Sequence, residues 1–401
     1  MSRRREWGKI TRKGKRFYAD YLGPDQKRHT PGFSFPTRGE AEGWLAAERR
    51  LIDLDTWQPP AMRRQRADTD GVTVGEWMDR FHKILENGTT PLKPSTMQNY
   101  RRVTRLRITG TTFADLPLTT VRTGDVYRWW DEVQRDYPDA KTINQQAYKR
   151  LRAGFAEAVR RQMIESNPVD IPDAKKRVTP KEKYLPSDTE LEKILDAMPV
   201  RYKALASMVL HHGLRIGEAL AVRLEDVQVG DVPVPYLPPV TIKVRHNVQR
   251  ITDGDGTYML LQSPKTRAGA RDVPVMACDT PIFLRHLTTH DRAVVVVRAE
   301  RGPVEMRPFT TTGAGQIMFD TSFRSVLERA EIRAGVTTEI DPHCGRNWLI
   351  TRLAEQGAHL KEIGALLGQE DVTTILDVYM KVRAGRTTDL MGRVSASIGK
   401  A

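Results

Sequence analysis

His343-Cys344-Gly345-Arg346, followed by Leu367-Gly368-Gln369 and then by Tyr379, is the stretch on which the reading of this chain turns. It presents an imidazole, a guanidinium, a side-chain amide and a phenol, a set suited to holding a phosphodiester beside a nucleophile. Arginine binds phosphate oxygens bidentately and keeps its charge, so it can neutralise negative charge that develops during phosphoryl transfer. A tyrosine hydroxyl, with an ordinary pKa near ~10, attacks poorly unless positive groups stabilise its oxyanion. His343 and Arg346 are three apart, so one helical face presents both. Upstream, Gly213-Leu214-Arg215-Ile216-Gly217-Glu218 and Ser263-Pro264-Lys265-Thr266 add a second arginine and a lysine. Arg215 stands where one apolar helical pattern ends and another begins, and a structural salt bridge with Glu218 or Asp226 is its alternative use. Lys243 is the rival of Lys265. Arg267 and Arg271 read as backbone contacts or surface charges, His211 and His212 as packing or DNA-proximal residues, and Cys344 as a buried small residue.

The order Arg215, Lys265, His343-x-x-Arg346, Leu-Gly-Gln369, Tyr379 resembles that of the tyrosine recombinases, the phage-integrase family. Gln369 stands ten residues before Tyr379, the interval of the family pattern, although the family usually has His or Trp where this chain has Gln369. The resemblance covers residues 184 to 385 strongly and the preceding region more loosely. It implies that Tyr379 attacks a scissile phosphate to give a 3′-phosphotyrosyl link and a 5′ hydroxyl. Arg215 and Arg346 would clamp the phosphate and His343 would hydrogen-bond or accept a proton. Lys265 would protonate the departing oxygen, because an alkoxide is a poor leaving group. Gln369 would donate an amide hydrogen bond where His or Trp usually stands, without shuttling a proton. The resemblance further implies a homotetramer on double-stranded DNA with core-type and arm-type sites, a directionality factor and a host DNA-bending protein. A type IB topoisomerase-like enzyme and a catalytically idle DNA-binding regulator are the alternatives.

Composition agrees with a polyanionic partner. Among 401 residues, 64 Lys/Arg against 50 Asp/Glu give a net charge of +14. Residues 1–38 hold eleven Lys/Arg and three Asp/Glu, a net +8 of that total. The only two cysteines, Cys278 and Cys344, have no paired spacing, which argues against a disulfide framework and a cysteine zinc site. No apolar run approaches the ~20 residues of a membrane span. The expectation is a cytoplasmic, nucleoid-associated protein of a bacterial host, without a membrane partner. No Walker-type loop and no carboxylate cluster for a two-metal nuclease stand out, so neither cofactor nor metal is expected. A covalent phosphotyrosyl link would conserve the energy of the broken bond, and rejoining would need no ATP.

The expected fold is multidomain: a small β-sheet-plus-helix N-terminal domain, an all-α core-binding domain, and a mainly α (α+β) catalytic domain. The first, residues 1–57, carries short strands at 7–11, 16–22 and 30–35, then a capping-box helix from Thr37. It resembles the arm-type DNA-binding domain of integrases, with Arg12, Lys15, Arg16 and Arg28 as candidate DNA contacts. Residues 58–72 read as a linker and 73–168 as a helical core-binding domain. There Arg101, Arg105, Lys141, Asn144, Lys149 and Arg150 are the candidate DNA contacts, Ser95 a candidate helix cap, and Trp129-Trp130 core residues. Residues 169–183 form a proline-rich basic connector. The catalytic domain, 184–401, opens with a capped helix at Ser187 and has β-like stretches at 232–249 and 258–275. Tyr379 is expected on a short helix at 373–381, and 386–401 as a tail.

Overall fold

Strands β1 (Lys9–Lys13) and β2 (Arg16–Leu22), the latter with more and less exposed residues in alternation, form an antiparallel hairpin, to which β3 (Arg28–His29) adds. This computed structural model describes residues 7–67, 71–176, 178, 184–233, 235–264, 266–290, 293–369, 375–376, 378–379 and 387–398. The strand expected at 30–35 is instead β3 plus an isolated bridge between Phe17 and Phe35. Pro31 has no N–H for a ladder and Gly32 takes φ +77°, so the segment cannot continue as a regular strand.

Helix α1 (Arg38–Asp53) is capped by Thr37, whose side chain accepts from Glu40 N at 3.2 Å. It buries Ala41, Leu45 and Glu48 against the sheet. The stretch expected as a linker contains α2 (Pro60–Ala67). Its Arg63 forms an ion pair with Glu48, a carboxylate only 2% exposed that also accepts from Tyr21 Oη at 2.6 Å. A buried carboxylate is costly without a partner, so this pair ties the stretch to the N-terminal sheet.

Four helices follow: α3 (Val74–Asn87), α4 (Pro94–Thr104), α5 (Thr123–Asp136) and α6 (Lys141–Arg160). Thr73 and Glu76 close a reciprocal capping box on α3. Ser95 does not cap α4; Pro94 occupies its first turn, where the missing N–H costs nothing. Trp77, Phe81, Trp129, Trp130, Tyr148 and Phe155 build a core separate from that of the N-terminal sheet. The basic connector begins later than expected, since Val169, Ile171 and Ala174 belong to that core, the last on α7 (Pro172–Lys175).

The chain divides into two compact units, Met1–Pro180 and Lys181–Ala401. In the second, α8 (Asp188–Ala197), capped by Ser187 and Glu190, precedes α9 (Val200–Leu210) and α10 (Ile216–Leu220). Strands β4 (Val227–Val229), β5 (Val240–Val244) and, further on, β8 (Arg271–Pro274) form one antiparallel sheet in the order β4-β5-β8. Between β5 and β8 lie β6 (Asn247–Asp253) and β7 (Gly256–Gln262). After α11 (Thr280–Thr289) come β9 (Val295–Ala299) and β10 (Gly302–Met306), completing a second sheet ordered β10-β9-β7-β6. Helices α12 (Asp320–Ala334), α13 (Pro342–Glu355), α14 (Leu360–Leu367) and α15 (Thr387–Ile398) close the described chain. The result is a helix-rich, mixed α+β protein. Among the described residues, no helix is long and apolar enough to cross a membrane.

Candidate active site

Helix α9 is apolar on nearly every side, which buries it centrally in the unit. It ends at His211, and Gly213 reverses the backbone at φ +63° to launch α10. A Cβ on Gly213 would meet Leu367 Cδ2 at 2.9 Å and Leu349 Cδ2 at 3.2 Å, so glycine is needed for both conformation and space. Arg215 is then the N-cap of α10, with its side chain 43% exposed. Its Nη1 lies 2.7 Å from Glu218 Oε1. The salt bridge posed as the alternative use therefore exists, while Asp226 pairs with Arg223 instead.

Helix α13 crosses α9 at close range. A Cβ on Gly345 would sit 2.5 Å from Leu210 Cα. That proximity brings Arg346, 3% exposed, beneath the Gly213 turn. Arg346 Nη1 donates to Gly213 O at 3.0 Å, and Nη2 donates to Leu367 O at 2.7 Å and to Gln369 Oε1 at 3.1 Å. Burial, then the nearby Arg215, push the Arg346 pKa down to about 9, and Glu218 pulls the other way. The guanidinium stays a cation at neutral pH. His343 lies one turn before Arg346, half-buried, and its backbone N–H donates to the N-cap Asp341 Oδ1 at 2.7 Å.

Gln369 follows the left-handed Gly368 that ends α14. Its carbonyl oxygen is engaged by Arg346, which leaves the amide nitrogen as the donating end of the side chain. Tyr379 is half-buried in a helical stretch and packs with Val378 against the same core as Ile375, which is fully buried. Lys265, and the remainder of the helix expected at 373–381, lie outside the described residues.

Arg271, read from sequence as a backbone contact or surface charge, is instead buried at 7% exposure. Its Nη2 meets Glu218 Oε2 at 2.8 Å. Sequence spacing carries no signal for that burial, because the partner is a residue 53 positions away. Burial acts to raise the Glu218 carboxyl, but Arg271 and then Arg215 overcome it and hold it below the usual carboxylate range. Two guanidiniums, Arg215 and Arg271, thus share the Glu218 carboxylate, with Arg346 close enough to feel both, and the excess positive charge suits a phosphate anion.

His211 and His212 are packing residues. His211 stacks on Trp348 and bonds Asp279 at 2.8 Å, and His212 accepts from Met276 N at 2.9 Å. Burial pushes His212 below its usual pKa, favouring the neutral ring. Cys344 is buried. Among the described residues no His, Cys, Asp and Glu group has the arrangement to hold a metal ion.

The candidate DNA contacts fare unevenly. In the N-terminal sheet, register pairs Lys9 with Asp20, Thr11 with Tyr18 and Lys13 with Arg16 on the side away from α1. Arg16 and Arg28 are exposed, hydrogen-bonded to Ser34 and ion-paired with Asp20 respectively, and Lys15 is exposed in the hairpin turn. Arg12 pairs with Phe17 across the ladder, on the side carrying Ala19 and Tyr21, with its guanidinium over the Phe17 ring. It therefore does not belong to the outward face. Lys9 and Lys13 do, and strict alternation would have found them.

In the helical region Arg105, Lys141 and Lys149 are exposed, and Arg101 is exposed but ion-paired with Glu86 at 2.6 Å. Arg150 lies over the Tyr100 ring at 3.8 Å. Asn144 is not a surface residue. It is 1% exposed, accepts from Arg107 Nε at 3.2 Å and donates to Tyr137 O at 2.8 Å. A buried arginine needs acceptors, and Asn144 supplies one.

Comparison with known proteins places the chain. Residues 6–54 match the family described as phage integrase, N-terminal domain. The chain is 27% identical over 404 residues to the integrase of Mycobacterium phage D29, with 99% of each chain covered. It is 30% identical over 292 residues to the prophage phiRv2 integrase of Mycobacterium tuberculosis, covering 72% of this chain and 70% of that one. The structure of the Tn1549 transposon integrase in complex with a circular intermediate DNA shares its fold. The TM-score is 0.62 at 21% identity, over 80% of this chain and 99% of that one. The chain belongs to the integrase family of tyrosine recombinases and is a tyrosine site-specific recombinase.

Proposed function

We propose that this recombinase cuts and rejoins double-stranded DNA through a 3′-phosphotyrosyl intermediate, integrating or excising a mobile element. The observation that carries this reading is the buried Arg346, held by three acceptors near Arg215, on the helix whose Cys344, Trp348 and Leu349 belong to the core against which Tyr379 packs. Tyr379 Oη attacks the scissile phosphorus as the bond from phosphorus to the 5′ oxygen breaks. Arg215 and Arg346 neutralise the nonbridging oxygens, and Gln369 donates its amide N–H to one of them. His343 takes the phenolic proton, and Lys265 supplies one to the departing 5′ oxygen. The 5′ hydroxyl of a partner strand then reverses the step on the new junction.

Three modules divide the work: an N-terminal sheet for arm-type sites, a helical domain for core-type sites, and the catalytic unit. A homotetramer exchanging strands through a Holliday junction fits α15, whose Met391, Val394 and Ile398 are exposed at helical spacing as an apolar stripe. The family resemblance implies a directionality factor and a host DNA-bending protein as further partners.

A duplex nicked just beyond the cleavage point lets the short 5′-hydroxyl fragment diffuse away and traps the covalent step. Wild-type protein should give a slower, protease-sensitive band and Tyr379→Phe none, although the variant still binds the DNA. An equal covalent band from the phenylalanine variant overturns the assignment.

A further inference from the structure

Arg271 makes contacts that the chemistry above does not use. Its Nη2 bonds Glu218 Oε2 at 2.8 Å, and the other oxygen of that carboxylate, Oε1, holds Arg215 Nη1 at 2.7 Å. Glu218 Oε2 also accepts from Arg215 N at 3.1 Å, so the carboxylate fixes both the backbone and the head of Arg215. Arg271 Nε donates to Leu366 O at 2.7 Å, one residue before the Leu367-Gly368-Gln369 turn. Nη1 donates to Gly269 O at 3.0 Å, in the loop between β7 and β8 that also contains position 265. The side chain is 5% exposed, and a Cβ on Gly368 would approach its Nη1 to 2.8 Å.

We infer that Arg271 is a positioning residue, which acts through Glu218 to aim Arg215 and through the Leu366 carbonyl to hold the turn carrying Gln369. This rests on the catalytic reading of Arg215 and Gln369 given above. Three segments far apart in sequence must be held together at the site: the start of α10, the β7–β8 loop and the end of α14. One planar, multiply donating side chain reaches all three. Lysine cannot reproduce this, since its ammonium is a single point and lacks the fork. Without Arg271, the carboxylate of Glu218 loses a partner in a buried place and draws Arg215 inward, away from the position a phosphate occupies. Misplacement of a reacting group by about 1 Å costs roughly 10²-fold in rate.

The test compares two nicked substrates: an ordinary phosphodiester, and a methylphosphonate at the scissile position. The second lacks one negative oxygen and needs less neutralisation by Arg215. Arg271→Ala, with a cooperative melt like wild type, should cleave the phosphodiester about 10²-fold more slowly and recover most of that loss on the methylphosphonate. Arg215→Ala should show the same substrate dependence, and the double variant should be no slower than Arg215→Ala alone. Should Arg271→Ala not fold, Arg271→Lys decides by the same criterion, with a smaller loss.

Normal phosphodiester cleavage by a folded Arg271 variant, or an equal loss on both substrates, overturns the inference and leaves the catalytic assignment standing. A wild-type protein that forms no covalent complex overturns the catalytic assignment, and the inference with it.

Discussion

At the scale of single residues, Gln369 shows how a departure from the family pattern is absorbed. Its carbonyl oxygen accepts from Arg346 Nη2 at 3.1 Å, so the amide fixes the guanidinium and keeps an N–H donor, which the proposed function gives to the phosphate. An imidazole can do the same, accepting with one nitrogen and donating with the other. Gln369→His should therefore preserve or raise the rate of covalent-complex formation. Gln369→Ala removes one acceptor from Arg346 and the outward donor, and should slow cleavage by about 10². Gln369→Glu is the sharper probe. It keeps an acceptor for Arg346 but replaces the donor with a negative charge facing the phosphate, and should be at least as slow as alanine. Single-turnover rates on the nicked duplex check the order; a glutamate variant as fast as wild type would mean that this side chain does not face the phosphate.

Elements carry the next level, because the separation of α9 and α13, which sets Arg346 beneath the Gly213 turn that leads to Arg215, is fixed by a glycine. Alanine at position 345 would bring its Cβ to 2.5 Å from both Leu210 Cα and Leu210 O and 2.6 Å from Val209 O, all backbone atoms that cannot turn aside. Helices α9 and α13 must then part. Overpacking of this kind costs about 1–3 kcal/mol, and the bond from Arg346 to Gly213 O should lengthen or break. Gly345→Ala is expected to lower the melting temperature by several degrees and to reduce cleavage more than DNA binding; calorimetry with the nicked-substrate assay measures both, and an unchanged protein would show that the helices have slack. The caps of α3 and α8 were legible in sequence because a capping box is a local bargain between Thr73 and Glu76, or Ser187 and Glu190. The strands β9 and β10 were not read from their short apolar run, since pairing across sheets is decided by distant partners. For the same reason Asn144 and Arg271 were misread. A polar residue beside basic ones looks solvated until the Arg107 guanidinium or the Glu218 carboxylate that buries it is known. Arg215, Arg346 and Gln369 are proposed together from residue types and intervals, and the structure brings Arg346 into contact with Gln369 and near Arg215.

For the whole molecule, the question is whether the N-terminal sheet reads DNA of its own. The outward face of β1, β2 and β3 carries Lys9, Lys13, Arg16 and Arg28, while Arg12 lies on the helix side over Phe17. Helix α2 is tied to this module through Arg63 and the buried Glu48, so the folding unit extends to Ala67 and a cut at residue 57 would strand that carboxylate. A deletion of residues 1–67 should therefore leave covalent trapping on core-type DNA intact, whereas recombination that depends on flanking arm-type sites should be lost. Each phosphate neutralised by the outward face adds about 0.9 log units to the fall in affinity per tenfold rise in salt. Lys9→Ala and Lys13→Ala should each reduce that slope on arm-type DNA by about 1, and Arg12→Ala should leave it unchanged. Footprinting of the full chain against the deletion gives the decisive comparison. Protection of the same DNA by both would mean that the sheet reads nothing separately, and a slope that falls with Arg12 but not with Lys9 or Lys13 would mean that the opposite face of the sheet meets the duplex.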